Sequence, residues 1–362
     1  MQLEPLLGKT LTELQEIALS LGLPRFAGKQ LAEWLYVRRV TSFEEMTNIS
    51  LKGRQALAAN YTIGRHAPVR EAISADGTRK YLFELSNFKS QISSSECCFI
   101  ETVYIPEDDR ATLCVSTQAG CKMGCRFCMT GTLGFHGNLS AAEILNQIFE
   151  IDAMAIAAGR EPLSNVVYMG EGEPMDNIDE VLRSLEILTA PYGCAWSPKR
   201  ITVSTVGVPA MKRFLDESDC HLAVSMHNPF PAARAQIMPA EKMMSVTDVV
   251  ALLKQYDWSH QRRVSFEYIC WAGLNDSIRH AKEIIRLLKG LNCRINLIRF
   301  HEGVEEVAQT NKESRHFPSS NEKQMEFMRD YLTESGLTTT IRRSRGEDIL
   351  AACGMLVNSL NN

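Results

Sequence analysis

The residues best suited to chemistry are three cysteines, Cys121, Cys125 and Cys128, which lie within eight residues of a 362-residue chain. Thiolates are the usual protein ligands of iron–sulfur clusters, and a four-iron cluster with a full set of protein ligands takes four of them. Three thiolates leave one iron open, and an open coordination position is typical of a reactive metal centre rather than a structural one. The spacing therefore predicts a catalytic 4Fe-4S cluster.

A zinc site is the alternative use of these thiolates, with a distant fourth ligand completing it. Zinc sites usually come as two paired half-sites, and the sequence has no second Cys-x-x-Cys. The cluster is favoured, while a zinc-stabilised RNA-binding protein without catalysis stays as an alternative.

Composition indicates an ordinary globular protein, with 45% hydrophobic and 23% charged residues. The longest apolar runs fall short of the ~20 residues that span a membrane, and the N-terminus lacks the features of a secretion signal. Eleven cysteines in such a chain favour a reducing compartment, so we expect a cytoplasmic protein. The net charge of −4 does not indicate nucleic-acid binding, although Arg342, Arg343 and Arg345 form a compact basic cluster.

The chain divides into three predicted parts. Residues 1–65 read as a helical accessory domain that begins with the capping box Thr10–Glu13. Residues 66–110 read as a β-hairpin extension, with a turn at Asp76-Gly77. Residues 111–362 alternate strand-like runs with helical patterns, and a last helix is expected from Glu347.

This alternation predicts an α/β fold with a parallel sheet and crossover helices. About six strands are expected to feed the core, which suits a partial (β/α)6 barrel. A doubly wound sheet is the alternative, but no Gly-x-Gly-x-x-Gly opens a helix. Either architecture binds its ligands at the carboxyl ends of the strands.

Several candidate binding residues follow those strand ends. Gly172 allows close approach of the backbone to a ligand, and Glu173 can accept from an ammonium group. The hydroxyls among the others could bind a ribose or carboxylate, or be ordinary strand-end side chains. The remaining candidates at the same rim are Ser204, Ser225, Met226 and His227.

The cysteine triplet beside Gly172-Glu173-Pro174 resembles the radical S-adenosylmethionine (SAM) superfamily. Cys114, Cys353 and the run Phe99–Pro106 extend the resemblance to the RlmN family of RNA adenine methyltransferases, over nearly the whole chain. Without the family, Cys114 and Cys353 would be interpreted as small buried residues. Glu101 would be interpreted as a solvent-facing residue on an alternating strand.

The resemblance implies a radical SAM barrel that methylates carbon 2 of adenine. Two SAM molecules are used per turnover: one methylates Cys353, and the second gives the radical that activates this methyl group. Glu101 would then remove the ring proton. Cys114 would attack the sulfur of Cys353 and leave a transient disulfide.

The resemblance also implies partners. The targets would be an adenine of 23S rRNA in the peptidyl-transferase region and the adenine 3′ of the anticodon in tRNA. A flavodoxin or ferredoxin would supply electrons, and we expect a monomer without a membrane partner. The N-terminal helices and the basic cluster would contact RNA.

Another radical SAM enzyme remains the alternative function, for example one of the Cfr type acting at carbon 8 of adenine. The Glu101–Pro106 run, Gly172-Glu173-Pro174 and Arg345–Ile349 side with RlmN. One departure is His301, which stands where many family members have an asparagine that contacts SAM. Histidine also donates and accepts hydrogen bonds, so we retain it as a candidate contact.

Overall fold

The computed structural model describes residues 3–85, 98–258, 263–300, 317–352 and 354–356. The strands are β1 (Glu4–Pro5), β2 (Tyr61–Thr62), β3 (Arg70–Ile73), β4 (Arg79–Leu85), β5 (Cys98–Pro106), β6 (Ala111–Cys114), β7 (Gln118–Gly120), β8 (Phe135–Asn138), β9 (Leu163–Tyr168), β10 (Ile201–Thr205), β11 (His221–Ser225), β12 (Val264–Cys270), β13 (Cys293–Arg299) and β14 (Thr338–Arg342). The helices are α1 (Leu11–Ser20), α2 (Ala27–Ala32), α3 (Leu51–Asn60), α4 (Ala141–Ala157), α5 (Ile178–Thr189), α6 (Met211–Glu217), α7 (Pro231–Ile237), α8 (Val246–Leu253), α9 (Ile278–Leu288) and α10 (Glu322–Glu334).

A ten-stranded sheet organises the molecule, in the order β14-β13-β12-β11-β10-β9-β6-β5-β4-β3. The strands from β6 to β14 in this order are parallel to their neighbours. Each new parallel strand adds on the same side of the previous one, without the reversal that defines a doubly wound sheet. The α/β fold with a partial barrel is therefore confirmed. The described residues contain seven parallel strands rather than about six, because β14 extends the edge of β13.

The residues after position 66 continue this sheet instead of standing apart from it. β3 and β4 form the predicted hairpin around Asp76-Gly77, and Gly77 takes the positive φ of 83° that the tight turn requires. β4, β5 and β6 then pair antiparallel in sequence. The strand β5 thereby lies between the hairpin and the first strand of the barrel.

The N-terminal part contacts α4 through residues between and after its helices. Thr10 caps α1 in the predicted box, and the Glu13 carboxylate accepts the Thr10 backbone N–H at 2.7 Å. Arg39 forms an ion pair with Asp152 of α4, and Arg65 one with Glu150 at 2.7 Å. The apolar side chains of both parts belong to one continuous buried core.

Two further observations concern the helices. The helix expected from Glu347 is only a 3-10 turn over Glu347–Ile349, because Gly346 and Leu350 on either side both have positive φ, which an α-helix cannot contain. Among the described residues, no helix has the length and apolarity to cross a membrane.

Substitution of Gly8 would measure how closely the N-terminal part packs against α4. A Cβ at Gly8, whose φ is +83°, would lie 2.6 Å from the Ala142 backbone nitrogen of α4. We expect Gly8→Ala to lower the free energy of unfolding by about 2–4 kcal/mol through strain and overpacking. Gly22→Ala is the matched control, since Gly22 has a φ of +73° and open space around it, and we expect about 1 kcal/mol. Equal losses in denaturant titrations would contradict the close seating.

Candidate active site

A cavity of about 830 Å³ opens at the carboxyl ends of the parallel strands, where the sequence predicted a site. Cys114 and the three clustered cysteines Cys121, Cys125 and Cys128 all line it. Of the other candidates, the lining includes Gly172, Glu173, Ser204, Ser225 and His227. Among the described residues, neither Met226 nor Glu101 belongs to the lining. His301 and Cys353 lie outside the described residues.

A small two-stranded sheet that the sequence did not reveal closes the base of the cysteine loop. β7 ends at Gly120 and pairs antiparallel with β8, and the Cys121 N–H donates to the Gly134 carbonyl at 2.8 Å. Gly120 has a φ of +70°, and a Cβ there would lie 1.9 Å from the Gly134 oxygen. Only glycine fits this approach, so the residue before Cys121 is set by the loop geometry.

The three cysteines of the loop are half-buried, and their partial removal from water raises the pKa of each thiol. The pKa of Cys121 rises to about 12. The neighbouring sulfurs add to the effect, as Cys128 does for both Cys121 and Cys125. Buried thiols of this kind ionise when a cation offsets the lost hydration, as bound iron does.

The donor set of this loop fits a cluster with one open iron. Three thiolates beside a cavity leave one position of a four-iron cluster open, whereas a structural zinc site is closed by four protein ligands. The donor set, the burial and the adjoining cavity therefore fit a 4Fe-4S cluster.

The loop after β9 carries a buried carboxylate to the cavity. Gly172 has a φ of +97°, and a Cβ there would lie 2.5 Å from the Gln118 Cβ. The Glu173 carboxylate accepts the backbone N–H of Met175 at 3.1 Å and of Val206 at 2.8 Å. Burial nevertheless raises the pKa of Glu173 to about 7. An ammonium group in the cavity would favour its ionised form, which fits the predicted contact with SAM.

His227 is held as a neutral ring beside the cysteine loop. Its Nδ1 accepts the Ile269 N–H at 3.0 Å, which assigns the proton to Nε2. Its ring meets the edge of Phe127, between Cys125 and Cys128, at 4.8 Å between centroids. Burial, reinforced by the charge of Arg234, lowers the pKa of His227 to about 3. Met226 instead turns into the core, with its carbonyl accepting from Arg234 Nε at 2.9 Å.

Glu101 is buried, which contradicts the solvent-facing alternative. Its side chain is 2% exposed and its carboxylate forms an ion pair with Lys80 at 2.9 Å. Its backbone N–H donates to Glu171 Oε1 at 2.7 Å. Two residues along β5, Val103 lies opposite Cys114 in the sheet. Glu101 thus lies on the strand that pairs with the Cys114 strand, but Glu101 itself does not line the cavity.

Sequence reasoning missed Lys80 and Glu171. Lys80 is a buried lysine whose ammonium reaches both Glu101 and, at 3.5 Å, the Leu350 carbonyl. Glu171 is 1% exposed. Its carboxylate accepts the Glu101 backbone N–H, and its own backbone N–H donates to Ser116 Oγ at 2.9 Å. Each residue looks like surface charge in the sequence. Of the two, only Glu171 has a local signal in the sequence, because it stands between Gly170 and Gly172.

The C-terminal segment completes the cavity. Ala352 and Gly354, on either side of position 353, both line it, as do Arg342, Arg343 and Arg345. Arg342 Nη1 lies 3.3 Å from Glu267 Oε2, and the loop 107–109 adds further carboxylates. The rim is mixed in charge, with its basic side concentrated at residues 342–345.

Comparison with known proteins identifies the family. The family model described as "Ribosomal RNA large subunit methyltransferase N-terminal domain" matches residues 5–63, and the model described as "Radical SAM superfamily" matches residues 115–288. The chain is 56% identical to RlmN of Bacteroides thetaiotaomicron over 353 residues, which are 97% of this chain and 95% of that protein. This chain belongs to the RlmN family.

A more distant relative and a solved structure agree with this family. The chain is 37% identical to the dual-specificity RNA methyltransferase RlmN of Syntrophobacter fumaroxidans over 349 residues, 96% of each chain. The crystal structure of a radical SAM methyltransferase from Sphaerobacter thermophilus superimposes with a TM-score of 0.86 at 35% identity, covering 98% of this chain and all of that one. The protein is accordingly a radical SAM methyltransferase, a class that uses SAM and a 4Fe-4S cluster.

The depressed pKa of His227 predicts an acid-sensitive RlmN fold. Below pH 6.5 the unfolded chain binds a proton at this histidine that the folded chain does not bind until about pH 3, so stability falls as the pH falls through that window. At pH 5.5 the loss from this group is about 1.4 kcal/mol. His227→Gln keeps an acceptor for Ile269 without the titration, so its thermal midpoint should fall less between pH 7.5 and 5.5. The exposed His136→Gln is the control, and identical slopes for all three proteins would contradict the assignment.

Proposed function

We propose that this chain methylates carbon 2 of an adenine in the peptidyl-transferase region of 23S rRNA, and of the adenine 3′ of the anticodon in tRNA. The reaction would pass through S-methylated Cys353 and a transient Cys114–Cys353 disulfide. The observation that carries the proposal is one cavity lined by Cys114, by the cysteine loop and by both neighbours of position 353. The "dual-specificity" in the names of the relatives supports two RNA substrates.

The cofactor contacts follow from the lining. Cys121, Cys125 and Cys128 would be the three protein ligands of the cluster, and Gly172 with Glu173 would bind the amine of SAM. Ser204, Ser225 and His227 lie on the same wall and would orient the rest of that molecule, with His301 as a further contact. When bound, the cluster supplies the electron that converts SAM into a carbon radical.

The chain's own residues would divide the remaining work. The sulfur of Cys353 takes a methyl group from a first SAM, and a second SAM is consumed in activating it. Glu101 removes the proton from carbon 2 once the methylene carbon is bound there, and Lys80 supplies the counter-charge for that buried carboxylate. The odd electron of the adduct would return to the cluster. The Cys114 thiolate then attacks the Cys353 sulfur, so the disulfide forms as the carbon–sulfur bond breaks, and the methylene carbon keeps that electron pair and takes up a proton to become the methyl group. A thiol reductant restores both cysteines.

The RNA would meet the cavity at its basic side. Arg342, Arg343 and Arg345 line the mouth and could hold phosphates there, while a target base leaves its stack to enter. The N-terminal helices would provide a second RNA contact, and the ion pairs of Arg39 and Arg65 with α4 connect this part to the barrel. We further propose a monomer that works in the reducing cytoplasm with a flavodoxin or ferredoxin as electron donor.

Peptide mass spectrometry tests the methyl-carrier role directly. Anaerobically reconstituted protein given methyl-deuterated SAM should carry a trideuterated methyl group on Cys353. An intact cluster with unmodified Cys353 would instead favour another type of radical SAM enzyme. Nucleoside analysis of the RNA product distinguishes 2-methyladenosine from the 8-methyl product of the Cfr-type alternative.

The disulfide step predicts a trapped intermediate. In Cys114→Ala the bridge between Cys353 and RNA can form but cannot be resolved, so a covalent protein–RNA species should accumulate and turnover should fall at least about a hundredfold. Cys194→Ala is the control, because that half-buried thiol lies outside the cavity. Normal turnover by Cys114→Ala, measured as methylated RNA per enzyme, would remove Cys114 from the mechanism.

A further inference from the structure

The chain before position 353 is fastened to the turn of the β3–β4 hairpin. We call this contact, between residues 74–80 and 346–350, the clasp. Asp76 Oδ2 accepts the Gly346 N–H at 3.1 Å, and Asp76 Oδ1 accepts the Thr78 N–H at 2.9 Å. In the other direction, Asp348 accepts Ser74 Oγ at 2.5 Å. Each segment thus contributes one carboxylate that accepts a hydrogen bond from the other segment.

Further contacts tighten the clasp. The second oxygen of Asp348 accepts the Ala75 N–H at 3.0 Å, and Lys80 Nζ donates to the Leu350 carbonyl at 3.5 Å. Gly346 has a φ of +65°, and a Cβ there would lie 2.9 Å from Thr78 Cγ2 and 2.8 Å from Ala351 Cβ. The approach therefore requires glycine at position 346, as well as the two carboxylates.

The chain after position 353 is fastened to the cysteine loop instead. The Met129 N–H, next to Cys128, donates to the Gly354 carbonyl at 2.8 Å. Thr130 Oγ1 donates to the Leu356 carbonyl at 3.1 Å. Ala351 and Leu356 pack with Val103 and Cys114 in one apolar cluster. The described chain is therefore anchored on both sides of position 353, at residues 346–350 and at Gly354 and Leu356.

Both carboxylates of the clasp have lowered pKa values. Burial acts to raise the pKa of Asp76, but hydrogen bonds from Thr78 and Gly346 outweigh it and lower that pKa to about 2. The hydrogen bond from Ser74, with that from Ala75, lowers the pKa of Asp348. Both carboxylates are therefore ionised acceptors at neutral pH, and hydrogen bonds to ionised acceptors are stronger than neutral ones.

We propose that Asp76 and Asp348 are positioning residues that hold the methyl-carrier segment over the cavity. The inference rests on the proposed function, because it assigns a purpose to fixing Cys353. That sulfur must meet a methyl donor, an RNA base and Cys114 in turn, and reactions of this kind are sensitive to misplacement by an ångström. The clasp supplies the anchor on the N-terminal side, and Lys80 ties it to Glu101.

The test separates positioning from cluster chemistry within one reconstituted protein. The rate of Cys353 methylation from methyl-deuterated SAM is measured by peptide mass spectrometry, and reductive cleavage of SAM to 5′-deoxyadenosine is measured beside it. Asp348→Ala leaves the Ser74 and Ala75 donors without their acceptor, so we expect methylation to slow about tenfold or more while cleavage stays within about twofold. Asp348→Asn keeps one acceptor oxygen and should recover part of the rate.

Controls and a second readout complete the design. Asp330→Ala removes an exposed carboxylate of α10 that pairs with its neighbour Arg329, and it should leave both rates unchanged. In glutathione buffers, the fraction of Cys114–Cys353 disulfide should fall in Asp348→Ala, because a loosened segment lowers the effective concentration of the thiols. If Asp348→Ala does not fold, Ser74→Ala removes the hydroxyl that donates to Asp348 and accepts the Asp76 N–H at 3.3 Å, and it should still slow methylation about threefold.

The outcomes distinguish the two proposals. Wild-type protein with an unmethylated Cys353 would overturn the proposed function itself. Methylated wild type with equal rates and equal disulfide fractions in the Asp348 or Ser74 variants would overturn the clasp alone. Parallel loss of methylation and SAM cleavage would also overturn it, since the residues would then support the whole site rather than position Cys353.

Discussion

The parallel register of the barrel strands is the constraint on which the site depends. In the ten-stranded sheet, β6 and the six strands from β9 to β14 all run the same way, so the loops that follow them emerge at the same edge. Cys114, the cysteine loop, Glu173 and Ser225 come from three different strand ends and the loops that follow them, yet all line one cavity. A change of direction in any one strand would remove its loop from the site. Chemistry that needs several groups at once is therefore a consequence of topology before it is one of side chains.

Burial sets the second condition, because a polar group in a dry site needs a partner. The structure meets it mostly with backbone N–H groups. Those of Val206 and Met175 bind Glu173, that of Ile269 binds His227, and that of Glu101 binds Glu171. Backbone donors belong to strands and tight turns, so the side chains they hold are fixed as firmly as the sheet. Such preorganisation keeps reactive groups oriented before a ligand arrives.

Much of the site was predictable because its signals are local. The spacing of the three cysteines predicts the cluster site. In the same way, Asp76-Gly77 predicts the hairpin turn, and the Thr10–Glu13 box predicts the start of α1. Contacts between distant positions gave no such signal: Ala75 and Asp348 are 273 residues apart, and Glu101 and Glu171 are 70 apart. Cys114 and Cys353 were reached only through resemblance to a family. The pattern of one strand cannot show which other segment will cover it.

Glu101 shows why local pattern alone misleads. On β5, Thr102 faces α4 and hydrogen-bonds Gln147, while Val103 on the opposite face packs with Ala351 and Leu356. Both faces of the strand are therefore covered, one by a helix and the other by the C-terminal segment, so a charged residue that alternates as if towards water is buried. The same cover places the segment around position 353 against the strand beside Cys114. The C-terminal segment therefore both buries Glu101 and lies close to the strand that carries Cys114. The alternation of residues along β5 shows neither contact.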